Sequence, residues 1–279
     1  MAAPKGTYGQ PMQKAQRLMQ ELTKKDSGIN QLSSVSQSPN LPNGLGPMPV
    51  NVSSGRLLRI SVFRADGIWT RRSDVAMIKV TVVAPGGGSG GAKNIASSGA
   101  SSQGGGGGGA AIKILRGSEI PAQVIVSLGT PGTAGAATPT AGGDATSASF
   151  GSLCVASGGK GGAYTNGQTT INGSANGAPG VGTVGDILLY GTPGQHGGTN
   201  YGGIGTGGNG GRGASEYGGG GSIGPRADKS AGAAQAGNAG QANTGGGASG
   251  AACRYDMTGD SAAGAQGGTA IVVVEEYGK

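Results

Sequence analysis

Few residues of this chain could carry out a reaction, and their spacing argues against one. His196 is the only histidine, and Cys154 and Cys253 stand far apart, so no zinc site is built from them. A Ser–His–Asp relay would need His196 with Asp186 or Asp228, and no nucleophile elbow supplies the serine. The glycine runs lack a Gly-Lys-Ser/Thr ending and no helical pattern follows them, which excludes a phosphate-binding loop. Glu275 and Glu276 are neighbours on a strand-like segment, so they face opposite ways and cannot work as a carboxylate pair. The sequence predicts a protein that is not an enzyme, with no metal and no cofactor.

The side chains present suit adhesion instead. Six segments, 93–103, 130–149, 164–179, 191–201, 223–244 and 254–262, are rich in Ser, Thr, Asn and Gln, which hydrogen-bond adaptably to sugars or to a protein surface. Tyrosines in or beside them, Tyr164, Tyr201 and Tyr255 in particular, add rigid contact area at low entropic cost. Asn166, Asn172 and Asn200 are candidate polar contacts, and His196 is a candidate contact in a glycine-rich loop. Arg226 and Lys229, flanking Asp228, could meet phosphate groups of an anionic envelope.

Charge does not point to nucleic acid. Twenty basic against thirteen acidic residues give +7, but the basic residues are scattered, with pairs only at Lys24-Lys25 and Arg71-Arg72. Arg116-Gly117 and Arg212-Gly213 are isolated, unlike the repeats of an Arg-Gly-Gly binder.

The elements that must hold these segments are unusual. Glycine supplies 65 of 279 residues and aromatics only 4%, so a large side-chain core is unavailable. Strand-like blocks interrupt the glycines at 57–63, 75–84, 110–115, 123–128, 152–156, 184–190 and 270–276. Asp66-Gly67 and Pro121-Ala122 are turn signals between them. Polyproline II helices have three residues per turn and no internal hydrogen bonds, so their amides must find partners in other segments. Glycine lets such helices approach backbone to backbone. The runs 104–109 and 218–221, the cluster 86–91 and the three-residue spacing of Gly202, Gly205, Gly208 and Gly211 fit this geometry. The predicted fold is mainly β with extensive polyglycine II segments: short strands clasping a glycine-rich, polyproline-II-like lattice.

Residues 55–279 form this body. Residues 1–29 are expected to hold one short helix opened by Pro11 and ended by Gly28. Met12, Ala15, Met19 and Leu22 make its apolar seam with Leu18 beside it, a candidate attachment element. Residues 30–54 read as a Ser/Pro/Asn linker, since Pro39, Pro42, Pro47 and Pro49 forbid a helix. The cysteines are expected as free thiols. No apolar h-region follows Met1, so folding in a cytosol is expected.

Four blocks in order resemble a family. The segment 65–72, with Gly67, Trp69 and Thr70, leads to the strand 77–84 and the cluster 86–91. Glycines 104–109 precede a strand at 110–113 and another, after Pro121, at 123–128. Residues 148–152 precede 156–162, and 267–277 form a closing strand. Together these resemble the glycine-rich domain of bacteriophage tail fibres over residues 55–279. The style is also similar to the tip adhesins of T-even-type phages. The first strand ends in Ala84-Pro85 where the family often has glycine. The resemblance implies a receptor-binding tip, carried on the virion and made in the host cytoplasm. Its implied partners are a host polysaccharide, pilus or outer-membrane protein and other tail proteins, as a homotrimer or a cap on a trimeric fibre, with no nucleic acid. The alternative is a structural baseplate or fibre connector that never touches the receptor.

Overall fold

The computed structural model describes residues 55–278 apart from 96–98, 168–170, 173–176, 201–203, 207–208, 215–218, 228–232 and 255. The expected helix with Met12, Ala15, Leu18, Met19 and Leu22, and the linker over 30–54, lie outside the described residues. The protein is mainly β, with many short strands joined by extended glycine-rich segments.

Two facing five-stranded sheets form one end of the body. In the first, β1 (Leu57–Phe63) pairs with β19 (Ile271–Gly278), which pairs with β3 (Val75–Val83), then β6 (Ala110–Arg116) and β13 (Ile187–Leu189). The second runs β12 (Gly182–Val184), β9 (Cys154–Ala156), β8 (Ala148–Phe150), β7 (Gln123–Ser127) and β2 (Gly67–Thr70). Enrichment in β-branched residues explains why these blocks are strands, and in β3 and β19 both faces pack where the strands meet the lattice. Val80, Val82, Val272 and Val274 meet Trp69, Val126 and Phe150 in a single apolar cluster. The Trp69 and Phe150 rings lie 5.6 Å apart and tilted. Trp69 is also tied by its indole N–H, which donates to Glu276 Oε1 at 2.9 Å.

Glu276 and Glu275 face opposite ways, as adjacent strand residues must. Glu276 is fully buried and receives the Arg59 guanidinium from the edge strand β1. Glu275 pairs with Lys79 at 3.4 Å on the other face. The inward-pointing Arg59 and the irregular register beside it blunt a seven-residue edge that could otherwise recruit a foreign strand.

The strand blocks read over 57–63, 75–84, 110–115, 123–128 and 270–276 correspond to β1, β3, β6, β7 and β19 within a few residues. The block 184–190 is broken in two, because Gly185-Asp186 separates β12 from β13 and the Asp186 carboxylate accepts the Ile114 amide at 2.8 Å.

The remainder of the body is a lattice of backbone. Segment 84–91 continues from β3, and segment 102–109 returns to β6 antiparallel to it. Amides of Ala84, Gly87 and Gly90 donate to carbonyls of Gly109, Gly106 and Gln103. Those of Gly86 and Ser89 go to Gly268 and Ala265, and those of Gly88 and Gly91 to Gly143 and Thr140. Each third residue therefore faces the same neighbour, as a helix with three residues per turn requires. Segment 102–109 behaves likewise. All of its amides are bonded, shared in rotation among 245–251, 157–163 and 192–195, and its carbonyls receive amides from Gly211, Ala214, Gly180 and segment 84–90. Each bond contributes only about 1 kcal/mol net. Their number must offset an ordering cost of roughly 1–2 kcal/mol per residue.

Following the bonds along the chain gives its path. Six segments run outward from the sheets: 84–91, 130–136, 157–163, 191–195, 219–222 and 244–251. Six return: 102–109, 140–146, 177–181, 209–214, 235–240 and 263–268. At about 3.1 Å per residue the eight residues of 84–91 span about 25 Å, which separates the paired sheets from the far end.

Position in the lattice explains the glycine pattern. Residues 86–91 and 104–109 have neighbours on all sides, so each of the three residue phases needs glycine or a small side chain. A Cβ on Gly105 would overlap the Gly87 carbonyl, and one on Gly106 that of Ala178. Outer segments touch the lattice by one phase and carry glycine every third residue. In 130–136, Gly132 and Gly135 are buried, while Thr133, Ala134 and Ala136 are exposed. Half-buried Gly237 and Gly240 likewise face the lattice, where a Cβ would overlap the Ser249 and Gly246 carbonyls, while Asn238 and Ala239 are exposed. The three-residue spacing singled out from Gly202 to Gly211 corresponds only partly: Gly205 lies in a strand, Gly211 in the lattice, and Gly202 and Gly208 outside the described residues.

Two predictions follow from this packing. Gly105→Ala is expected to cost at least about 1–3 kcal/mol, whereas Gly220→Ala, where a Cβ meets nothing within 4 Å, is expected within about 0.5 kcal/mol of the parent. Thermal unfolding of both variants checks this. The two thiols, one under each end of the lattice, are pushed up to about 12 by burial. At pH 8 a thiol-alkylating reagent is therefore expected to label neither cysteine in the native protein and both after denaturation, as read by intact mass.

Candidate functional site

The far end of the lattice is built from short strands. After segment 84–91 comes β4 (Ala92–Lys93), which pairs parallel with β10 (Tyr164–Asn166) and antiparallel with β18 (Ser261–Ala262). β10 turns onto β11 (Ile171–Asn172). β5 (Ala100–Ser101) pairs with β17 (Ala252–Cys253). A three-stranded sheet of β14 (Gly198–Asn200), β15 (Ile204–Thr206) and β16 (Arg226–Ala227) packs beside them. The outward and returning segments are thus joined in sequence by 92–101, 137–139, 164–176, 196–208, 223–234 and 252–262, whose described residues lie at this end.

Each of the six polar segments read from the sequence contributes one of these connections, but their boundaries differ. Much of 130–149 and the end of 223–244 belong to the lattice, and only a turn at 137–139 projects from the former. Ser102 and Gln103 were expected in a loop but are buried lattice residues. The reason is physical. Short polar side chains are compatible with an outer lattice segment as long as every third residue stays small.

Several candidate residues come together. Tyr164, half-buried, and Asn166, exposed, lie on β10, and Asn172 is the register partner of Tyr164 on β11. Asn200 and Arg226 belong to the same three-stranded sheet, and Arg226 is exposed. His196 is exposed in the connection leading to that sheet. Tyr201, Lys229 and Tyr255 lie outside the described residues. Tyr190, which borders a polar segment in sequence, lies at the opposite end, bridged to Val181 beside β12 and β13.

Residues missed by the sequence reading organise the connection after β17. Buried Asn94 donates through Nδ2 to the carbonyl of Met257 at 3.1 Å, and its backbone amide donates to the Asp260 carbonyl at 2.8 Å. The Asp260 carboxylate accepts the amides of Ala234 and Arg254, both at 3.3 Å. The Arg254 guanidinium grips Asp256 with bonds of 2.9–3.1 Å. The result is a tied loop with Met257 exposed. A polar residue flanked by glycine clusters gave no local signal for these contacts, which span some 160 residues of sequence.

The two ends differ in character. At the sheet end Ile60, Val62, Ile68, Ile125 and Ile187 are exposed. At the far end the exposed large apolar side chains among the described residues are Ile95, Ile223 and Met257, set among hydrogen-bonding groups. No group of three metal-ligating side chains occurs among the described residues. The arrangement can hydrogen-bond and pack against a surface.

No curated protein sequence matches the chain. The profile of a family described as a glycine-rich domain matches residues 64–277, from the turn before β2 to the last strand, and so spans both sheets and the whole lattice. The chain belongs to the glycine-rich domain family.

Proposed function

We propose that this chain is a bacteriophage tail-fibre tip that binds a host-cell surface receptor through the polar connections at the far end of its lattice. The observation that carries this reading is the convergence of those connections: six segments separated in sequence meet at one end of a backbone lattice, about 25 Å from the sheets. A rigid base lowers the ordering cost of binding by loops. Asparagines, exposed His196 and Arg226, and half-buried Tyr164 provide donors, acceptors and flat contact area at that end. The resemblance of residues 55–279 to tail-fibre glycine-rich domains supplies the biological setting. Membership of the glycine-rich family agrees with it at the coarser level.

The test is adsorption to host cells. Exchange of Tyr164 and of residues 166–176 for Gly and Ser at equal length, keeping buried Thr165, is expected to lower affinity at least about tenfold, which is about 1.4 kcal/mol, with the amide protection of β3 and β19 unchanged. Unaltered adsorption after exchange of all six connections would refute receptor binding and favour a connector within the virion.

A further inference from the structure

Three consecutive residues under the far end, Ser101, Ser102 and Gln103, are buried although all are polar. They close the returning chain just before the unbroken glycines 104–109. Consecutive side chains on a three-residue helical turn leave in three directions, so each can reach a different neighbour. The Ser101 hydroxyl donates to the Gly198 carbonyl at 3.0 Å, and the Ser101 carbonyl accepts the Thr165 hydroxyl at 2.7 Å. The Ser102 hydroxyl donates to the Gly90 carbonyl and accepts the Ala251 amide at 2.8 Å. Gln103 Oε1 accepts the Ala163 amide at 3.2 Å, and its Nε2 donates to the Gly194 carbonyl at 3.3 Å. The Gln103 backbone amide holds the Ala163 carbonyl as well, at 3.0 Å.

Gly90, Ala251, Ala163 and Gly194 are the last lattice residues, or nearly so, before far-end connections, while Thr165 and Gly198 lie at the start of the connections themselves. Ala163 precedes β10 with Tyr164 and Asn166. Gly194 precedes exposed His196. Ala251 precedes β17 and the Asn94-tied loop. We infer that Ser101, Ser102 and Gln103 form a polar layer that sets the mutual positions of these three connections, with Gln103 the positioning residue that couples the roots at Ala163 and Gly194. The inference rests on the receptor-binding reading for its functional consequence, but not for its structural content. A carboxamide suits the task because it presents an acceptor and a donor in the geometry of a peptide unit. It thus extends the lattice's own bonding sideways between two segments that make no bond to each other through their last residues. Burial raises the stakes, since a buried polar group left without its partner is costly.

The experiment uses the full chain with Gln103→Met, which keeps length and removes both polar ends. Amide exchange is followed by mass spectrometry well below the unfolding temperature, alongside adsorption to host cells. Exchange at 163–167 and at 194–200 is expected to accelerate about tenfold, while 80–83 and 271–277 keep the parent rates, and adsorption is expected to fall several-fold. Acceleration at neither root, or at only one, overturns the coupling. Should Gln103→Met fail to fold, Ser101→Ala removes the hydroxyl bond to Gly198 alone. It is expected to loosen 194–200 and leave 80–83 unchanged, and parent rates at 194–200 overturn the polar layer. Loosened roots in a variant that adsorbs normally, in a protein whose connection exchanges also adsorb normally, would leave the layer standing and refute receptor binding instead.

Discussion

The structure depends on hydrogen bonds between backbones that have no side chains between them. In 84–91 and 102–109 the direction of the amide rotates by a third of a turn at each residue, so one segment serves three acceptor neighbours in rotation. Other segments donate in turn to its carbonyls. That arrangement tolerates nothing larger than hydrogen at most central positions, where an added methyl would overlap a neighbouring carbonyl. Glycine, which costs the most entropy to order, is here the only residue type that permits the contact.

From this constraint the two ends acquire different tasks. The lattice cannot end on itself, because its outermost amides and carbonyls still need partners. At one end the segments run into β3, β6 and β19, where ordinary strand pairing and an apolar cluster around Trp69 and Phe150 take over. At the other they run into small strands and tied loops, under which Ser101, Ser102 and Gln103 add side-chain bonds to their backbone bonds. The first end is apolar inside and carries an ion-paired edge. The second has only a small cluster around Ala92, Ala100, Ala251 and Cys253 inside, and its surface mixes hydrogen-bonding groups with Ile95, Ile223 and Met257.

Much of the fold was legible because its signals are local. Blocks of β-branched residues between glycines marked the long strands β3 and β19. The unbroken glycines pointed to backbone packing. Lattice partners were not legible, since an amide of Gly107 bonds to Thr192 with no side chain to record the choice. The limits of the polar segments were also misjudged. Residues 130–136 look like a loop by composition, yet Gly132 and Gly135 turn inward every third residue. A three-residue glycine period in a polar stretch is the signal that separates an outer lattice segment from a true connection. At the candidate site the exposed Asn166 and Arg226 could be named in advance. Asn94 could not, because its importance comes from partners at Met257 and Asp260, distant in sequence.

The most direct measurement of the central claim is residue-resolved amide exchange on protein labelled with nitrogen-15 glycine. The account predicts that Gly104 to Gly109 exchange as slowly as the amides of β3 and β19, because every one of them is bonded inside the body. Exchange of that run at rates close to those of an unstructured peptide would contradict it.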